Sequence, residues 1–155
     1  DGSIDPVGTD HCSFTTEVKA LGREDFSGIP NGMPGVEDRL RLLYTYGVAA
    51  GRIGLERLVE LLSANPARLF GMWPLRGALA VDSIADIVIY DPNITERIST
   101  KTIHSACDYD PFEGMEVRGR VDTVLLGGEV AVSEGKPVRT GLGRFVHRGG
   151  AQFWR

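Results

Sequence analysis

The sequence predicts an α/β fold in which the last strand and terminal helices of a barrel precede a small β module. Three features predict this fold. A short segment ending at Val7-Gly8-Thr9 reaches Asp10 and opens into a long loop, as a barrel strand does at its C-terminal rim. Apolar residues then recur at helical spacing. Beyond Gly71 the pattern changes to runs of β-branched residues between turn formers.

The loop after Asp10 is rich in residues that favour turns. Its glycines and prolines are Gly22, Gly28, Pro30, Gly32, Pro34 and Gly35. The loop is longer than the usual connection between packed elements, and loops of that length inside a compact domain are usually functional. The loop is therefore a candidate functional segment.

Three helices are predicted after this loop. The first runs from Val36 to about Ala50, where apolar residues recur at helical spacing and acidic residues occupy the first turn. The second runs from about Leu55 to Ser63. A short third helix begins at Asn65, which is a favourable N-cap residue followed by proline at the first helical position.

The second half of the chain predicts strands. Residues 85–92 and 121–126 are rich in β-branched and apolar side chains and are bounded by turn formers. Gly127-Gly128 joins the second run to residues 129–132, and a Gly-Gly pair between two such runs predicts a two-residue hairpin.

The predicted organisation has three parts. The last part, residues 140–155, is predicted to form either an arm that docks on another subunit or a loosely ordered terminus. We expect residues 1–75 to form the barrel portion, residues 76–139 the β portion, and residues 140–155 the C-terminal arm.

Composition excludes some partner classes. The net charge is −4, and no block of basic residues provides an electrostatic footprint for nucleic acid. No apolar run approaches the roughly 20 residues that span a bilayer. We therefore expect a small-molecule or protein partner, with neither nucleic acid nor membrane. The two cysteines, Cys12 and Cys107, favour reduced thiols in a cytoplasmic protein, although a single bridge between them is an alternative.

The order of short motifs along the whole chain resembles a known enzyme family. The motifs are Thr9-Asp10-His11-Cys12-Ser13-Phe14, Ile29-Pro30-Asn31-Gly32, Glu37-Asp38-Arg39, Ala64-Asn65-Pro66-Ala67-Arg68-Leu69-Phe70-Gly71, Ala85-Asp86-Ile87-Val88-Ile89-Tyr90-Asp91-Pro92, Tyr109-Asp110-Pro111-Phe112-Glu113-Gly114 and Gly143-Arg144-Phe145-Val146. They resemble the C-terminal third of dihydropyrimidinases and hydantoinases, which are cyclic amidohydrolases of the amidohydrolase superfamily.

The resemblance implies a fold and a cofactor. It implies a metal-dependent (β/α)8 barrel holding two zinc ions, together with a small β-sandwich to which this chain contributes the C-terminal share. The remaining zinc ligands, including four histidines and a bridging carboxylated lysine, are expected upstream of Asp1. Asp5-Pro6 departs from the pattern, because a buried barrel strand is apolar and proline is disfavoured inside a sheet.

The resemblance also implies site residues. Asp10 matches the family's aspartate, which binds one metal and moves a proton between the attacking water and the leaving nitrogen. On sequence alone the alternative is a carboxylate that braces the following loop. Asn31 matches a substrate-binding residue whose backbone recognises a cyclic imide, whereas Asn31-Gly32 alone indicates a turn.

Two histidines are weaker candidates. His11 either orients the site or is a satisfied structural residue, which is the more frequent role for a lone histidine beside a strand end. His104 belongs to a polar cluster that we expect in the β-sandwich, away from the barrel rim.

Three functions compete. The first is a zinc-dependent hydrolase that opens dihydropyrimidines or 5-substituted hydantoins to N-carbamoyl amino acids, with this chain inactive alone. The second is a non-catalytic dihydropyrimidinase-like scaffold protein, and the third is an allantoinase or dihydroorotase. The resemblance further implies a homotetramer.

Overall fold

The computed structural model describes residues 3–152, which form a helical first half and an antiparallel sheet. The short helix α1 spans Thr16–Lys19 and is followed by 3-10 turns at Ala20–Gly22 and Phe26–Gly28. No helix within residues 3–152 has the length and apolar composition needed to cross a membrane.

The predicted last barrel strand is not formed as a strand. Residues 3–10 make no strand pairing within the described chain, and the segment's one bridge joins His11 to Met33 in parallel. Val7 instead donates its backbone N–H to the carbonyl of Leu61 at 3.1 Å. The physical reason is that a strand needs a neighbouring strand for its ladder, and Pro6 has no N–H to contribute.

The first predicted helix begins three residues later than the sequence indicates. Helix α2 spans Arg39–Leu43 and continues as a π-helical segment over Tyr44–Ala49. Residues 36–38 form a turn, and the buried Asp38 occupies the N-cap position. Its carboxylate Oδ1 accepts from Nε of Arg41 at 2.9 Å rather than from the backbone of the first turn.

The second and third predicted helices are one continuous helical run. Helix α3 spans Leu55–Val59, a π-helical segment spans Glu60–Ala64, and helix α4 spans Asn65–Leu69. Asn65 is therefore not an N-cap residue, because its φ of −70° and ψ of −43° are helical. Pro66 supplies no N–H for an intrahelical bond, and the helix widens just before it.

The buried side chain of Asn65 has a tertiary role instead. Its Nδ2 donates to the carbonyl of Asp5 at 3.0 Å, and its Oδ1 accepts from Nη1 of Arg68 at 3.1 Å. The backbone N–H of Val7 also bonds the carbonyl of Leu61. Together these contacts hold the extended N-terminal segment against the helical run of residues 55–69, called here the long helix.

The sheet has the order β1-β2-β3-β4, with every neighbouring pair antiparallel. Its strands are β1 Ile87–Arg97, β2 Glu116–Leu126, β3 Glu129–Ser133 and β4 Lys136–Pro137. The predicted hairpin is confirmed, since Gly127 and Gly128 join β2 to β3 with φ values of 61° and 84°. Both long strands exceed the predicted runs because their ends pair with each other, Arg97 opposite Glu116.

The sheet packs against the π-helical segment that follows α2. Tyr46 donates its hydroxyl to the carbonyl of Glu116 at 2.8 Å, and Arg118 donates its backbone N–H to Oγ1 of Thr45 at 2.8 Å. Ile98, which follows β1, and Val117 of β2 are fully buried. The two halves of the chain therefore share a core.

The C-terminal arm folds back on the long helix. Residues 140–152 form no strand or helix, and Gly149 donates its N–H to the carbonyl of Gly71 at 2.8 Å. Gln152 donates its N–H to the carbonyl of Arg68 at 3.0 Å. The last three residues of the predicted arm lie outside the described residues.

Candidate functional site

The candidate site is the junction between the Asp10 segment and the Gly/Pro-rich loop. Cys12 donates its backbone N–H to the carbonyl of Met33 at 3.1 Å, and Met33 donates its own to the carbonyl of Asp10 at 3.4 Å. Through these two bonds the structure brings Asp10 and the Asn31-Gly32 turn side by side. The two predicted site residues therefore lie at one place in the fold.

Asp10 has a backbone conformation that is uncommon for a residue with a side chain. Its φ is 47°, in the left-handed region, where Asp and Asn are the non-glycine residues most often found. The residue is exposed, and its carboxylate makes no hydrogen bond or ion pair with any other described residue. The two interpretations of this carboxylate, as a metal ligand and as a brace of the loop, therefore remain predictions.

Gly32 makes the close approach of the two segments possible. Its φ is 85°, and a Cβ at this position would lie 2.5 Å from the carbonyl oxygen of Asp10 and 2.7 Å from Sγ of Cys12. Any side chain here would push the loop away from Asp10. The glycine therefore sets the distance between Asn31 and Asp10.

Lys19 fixes the turn from its other side. Its ammonium group donates to the carbonyls of Pro30 and Gly32, which flank Asn31, and it lies 5.5 Å from the ring centroid of Phe14. Sequence reasoning missed Lys19, because a lysine in the last turn of a short helix resembles an ordinary dipole partner. Asn31, between these two carbonyls, is exposed.

His11 braces the loop. Its Nδ1 accepts from the backbone N–H groups of Gly35 and Val36 at 3.2 and 3.4 Å. The ring proton therefore lies on Nε2, which faces Oγ of Ser13 at 3.1 Å. The ring of His11 is thus satisfied by hydrogen bonds, as expected for a structural residue, and these bonds also hold the loop of the candidate site.

The polar cluster that includes His104 lies against the site loop, so its predicted place away from the barrel rim is wrong. Nδ1 of His104 lies 2.8 Å from Oε1 of Glu37, and Oδ1 of Asp108 accepts from the backbone N–H of Thr16 at 2.8 Å. The separation of more than sixty residues between these partners gave no local signal. A cavity of ≈350 Å³ lies between this polar cluster and the site loop. Its lining includes His11, Glu37, Asp38, His104 and Asp110.

The remaining reactive groups are the two cysteine thiols and the side chains that can bind a metal ion. Cys12 and Cys107 are both free, and Sγ of Cys107 lies 3.5 Å from the carbonyl of Phe14. Within residues 3–152 no three His, Cys, Asp or Glu side chains lie close enough to hold a metal ion. The described residues therefore do not form a closed metal site by themselves.

Comparison with known sequences supports one family. The model of the amidohydrolase family matches residues 1–131. A D-phenylhydantoinase from Escherichia coli O1:K1 / APEC is 47% identical over 150 residues, which are 96% of this chain and 32% of the relative.

Solved structures agree with the sequence comparison. A D-hydantoinase (dihydropyrimidinase) from Thermus sp. is 51% identical with a TM-score of 0.87, and the match covers 91% of this chain and 31% of that one. An L-hydantoinase (dihydropyrimidinase) from Arthrobacter aurescens is 38% identical with a TM-score of 0.84, covering 93% of this chain and 32% of that one.

The chain spans about a third of the length of the relatives it matches. The family model nevertheless covers most of the chain, and the similarity extends from the Asp10 segment through the sheet. The chain therefore belongs to the amidohydrolase family.

Proposed function

We propose that this chain contributes Asp10 and the Asn31 loop to a zinc-dependent hydrolase that opens dihydropyrimidines or 5-substituted hydantoins to N-carbamoyl amino acids. The observation that carries the proposal is the backbone pairing of Asp10 with Met33, which puts an unpartnered carboxylate beside the loop of the exposed Asn31. The similarity to D-hydantoinases at 47–51% identity supports the substrate class.

The donor set at Asp10 fits a metal ligand. A carboxylate oxygen is a normal ligand of zinc, and the Asp10 side chain is exposed. The other ligands of a two-zinc site would come from outside residues 3–152. When bound, zinc lowers the pKa of a bound water and polarises the carbonyl under attack.

Asp10 moves the proton in the proposed reaction. Its carboxylate takes a proton from the attacking water as the new C–O bond forms at the ring carbonyl. It then returns that proton to the ring nitrogen as the C–N bond breaks, which leaves a free carboxylate and a carbamoyl group. A carboxylate suits both steps because one of its oxygens would hold a zinc ion while the other carries the proton.

The Asn31 loop positions the substrate. A cyclic imide presents alternating C=O and N–H groups, which backbone groups complement. Lys19 occupies the carbonyls of Pro30 and Gly32, so the peptide groups of Asn31 remain to contact the ring. The loop thus holds the scissile amide beside Asp10.

The proposal extends to the state of the protein. The 155 residues alone are inactive, because one metal ligand cannot hold a pair of ions. The complete polypeptide is a cytoplasmic homotetramer. The homotetramer is what the resemblance implies, whereas the cytoplasmic location rests on the two cysteines, which favour reduced thiols.

The test compares two asparagine variants of the complete polypeptide that carries this chain. Asp10→Asn removes the proton carrier and lowers kcat for dihydrouracil or 5-phenylhydantoin by about 10²- to 10⁴-fold. Asp82→Asn is the matched control, because Asp82 is exposed and also has a positive φ, of 70°. Both variants retain the free energy of unfolding to within about 0.5 kcal/mol.

The measurements are steady-state hydrolysis, zinc content and thermal unfolding. Full activity in Asp10→Asn, with normal zinc content, would show that Asp10 is not the proton carrier. No turnover of either ring by the unmodified polypeptide would favour the non-catalytic scaffold.

A further inference from the structure

Residues 103–112, called here the clip segment, precede β2 and lie against the loop that carries the candidate site. At the start of the loop, Cys107 contacts the carbonyl of Phe14 and Asp108 accepts a hydrogen bond from Thr16. Beyond the end of the loop, His104 contacts both oxygens of the Glu37 carboxylate. Its ring Nδ1 lies against Oε1, and its backbone N–H donates to Oε2 at 2.9 Å. The clip segment therefore covers the loop at both ends.

Two buried carboxyl groups meet at the end of the clip segment. Asp110 is 7% exposed and Asp38 is 1% exposed, and the two side chains are within hydrogen-bonding reach. Oδ1 of Asp110 accepts from the backbone N–H of Phe112 at 2.7 Å. Its Oδ2 is buried and has no partner among the described residues apart from the Asp38 carboxyl.

Only one of these carboxyl groups can be ionised at low cost, because two like charges in contact repel and both are removed from water. Asp38 already has a cationic partner, since Nε and Nη2 of Arg41 both donate to its Oδ1. Oδ2 of Asp110 is then the oxygen that holds the proton and donates it to Asp38. This assignment satisfies the atom that otherwise lacks a partner.

We propose that Asp110 is a positioning residue whose protonated carboxyl donates to Asp38 and thereby holds the clip segment on the candidate-site loop. The loop ends where Asp38 begins α2, and the ring of Phe112 lies beside Gly35, at 3.6 Å from the point where a Cβ would be. Loss of the shared proton would leave two negatively charged carboxylates in contact. Because these carboxylates repel each other, the clip segment would separate from the loop.

The electrostatic surroundings support a proton on Asp110. The pKa of the Asp110 carboxyl is raised, and burial is the largest cause. The hydrogen bond from the backbone N–H of Phe112 lowers this pKa by less, the Asp38 carboxyl raises it again, and Arg41 lowers it by the smallest amount. Because the pKa is higher in the folded state, the bond stabilises the fold fully below the ordinary aspartate value of about 3.9. That stabilisation is lost as the pH rises through the raised pKa. The charged and titratable groups that face the pair are Arg41, Glu37, His11 and His104.

Three variants of the complete polypeptide test the proposal. Asp110→Asn keeps an acceptor for Phe112 and supplies a permanent donor to Asp38. Asp110→Ala removes both groups. Glu113→Gln is the matched control, because Glu113 is exposed, lies in the same turn, and has a pKa lowered by the backbone N–H of Thr100.

The first measurement is the midpoint of thermal unfolding between pH 4 and pH 9. The difference in midpoint between Asp110→Asn and the unmodified protein should grow in favour of the variant as the pH rises. Glu113→Gln should lose midpoint relative to the unmodified protein only as the pH rises from 4 to about 5, and the difference should stay constant above that. The reason is that the stability from a lowered carboxyl pKa is fully present above the ordinary glutamate value of about 4.3. Asp110→Ala should be less stable than Asp110→Asn at every pH.

The second measurement is hydrogen exchange at the amides of Cys12 and Phe112, expressed as protection factors. In the unmodified protein both factors should fall by about tenfold as the pH rises, as expected for losing a hydrogen bond to a charged group. In Asp110→Asn they should stay constant. A pH-independent difference in midpoint, or an asparagine variant as unstable as the alanine variant, would overturn the proposal.

The third measurement is enzymatic activity. It is the only one of the three that rests on the proposed hydrolase function. KM should rise with pH in the unmodified enzyme and stay flat in Asp110→Asn, with kcat less affected because Asp10 is untouched. If the protein is not a hydrolase, unfolding and exchange still decide the role of Asp110.

Discussion

Asp10 and Gly32 show how single backbone conformations shape the site. Both have a φ in the left-handed region, 47° and 85°, and the carbonyl of the first lies where a side chain on the second would be. Strained conformations of this kind persist where surrounding contacts hold them, and they concentrate at functional sites. The site geometry therefore depends on which residues tolerate that region.

The first residue-scale prediction concerns Gly32→Ala. The variant should lower the free energy of unfolding by about 2 kcal/mol and raise KM, because it adds a steric clash to the cost of a positive φ. Gly114→Ala is the control, since Gly114 has a φ of 78° and nothing within 4 Å of its Cβ position. The control should lose only about 1 kcal/mol. Denaturant unfolding and steady-state kinetics measure both effects, and equal losses would show that the contact with Asp10 is unimportant.

At this scale the sequence predicts positions better than it predicts partners. The resemblance places Asp10 and Asn31 in one site, and the structure puts their segments together. It does not reveal Lys19 or Asp110, whose roles depend on contacts with distant or backbone groups. The chemical role of Asp10 stays a prediction until the asparagine variants are measured, and the role of Asn31 also stays a prediction.

Among the elements, the long helix shows why local signals fail at boundaries. Asn65-Pro66 is a favourable helix start, yet the helix passes through it. The buried bonds from Asn65 to Asp5 and Arg68 outweigh an N-cap worth about 1 kcal/mol. Tertiary contacts of this kind leave no periodic signal. The strands of the sheet were predictable because runs of β-branched residues and the turn residues between them are local signals.

The hairpin between β2 and β3 supplies the element-scale prediction. Gly128→Ala should cost about 1 kcal/mol of unfolding free energy, because a φ of 84° disfavours any residue with a Cβ. Gly127→Asn should be close to neutral, since asparagine tolerates the left-handed region and Asn-Gly is a preferred hairpin pair. Thermal unfolding of the two variants checks the difference. An equal loss in both would argue against this turn type.

Over the whole molecule, many large apolar side chains are exposed. Among the most exposed are Leu21, Phe26, Leu79, Val81 and Phe145. The chain corresponds to about a third of the length of its relatives, and its core is small, with seven buried apolar residues in the described part. Exposed apolar patches of this extent mark contact surfaces or aggregation sites. We therefore expect the separate 155-residue chain to associate with itself.

Light scattering during size-exclusion chromatography tests this expectation. The separate chain should show a mass above that of one chain, increasing with concentration. Leu79 and Val81 are 83% and 91% exposed, so replacing both with serine should reduce association without removing core contacts. Ala80→Ser is the control, because Ala80 lies between them and offers little apolar area. A monomer at every concentration would mean that these side chains are too scattered to form a contact surface.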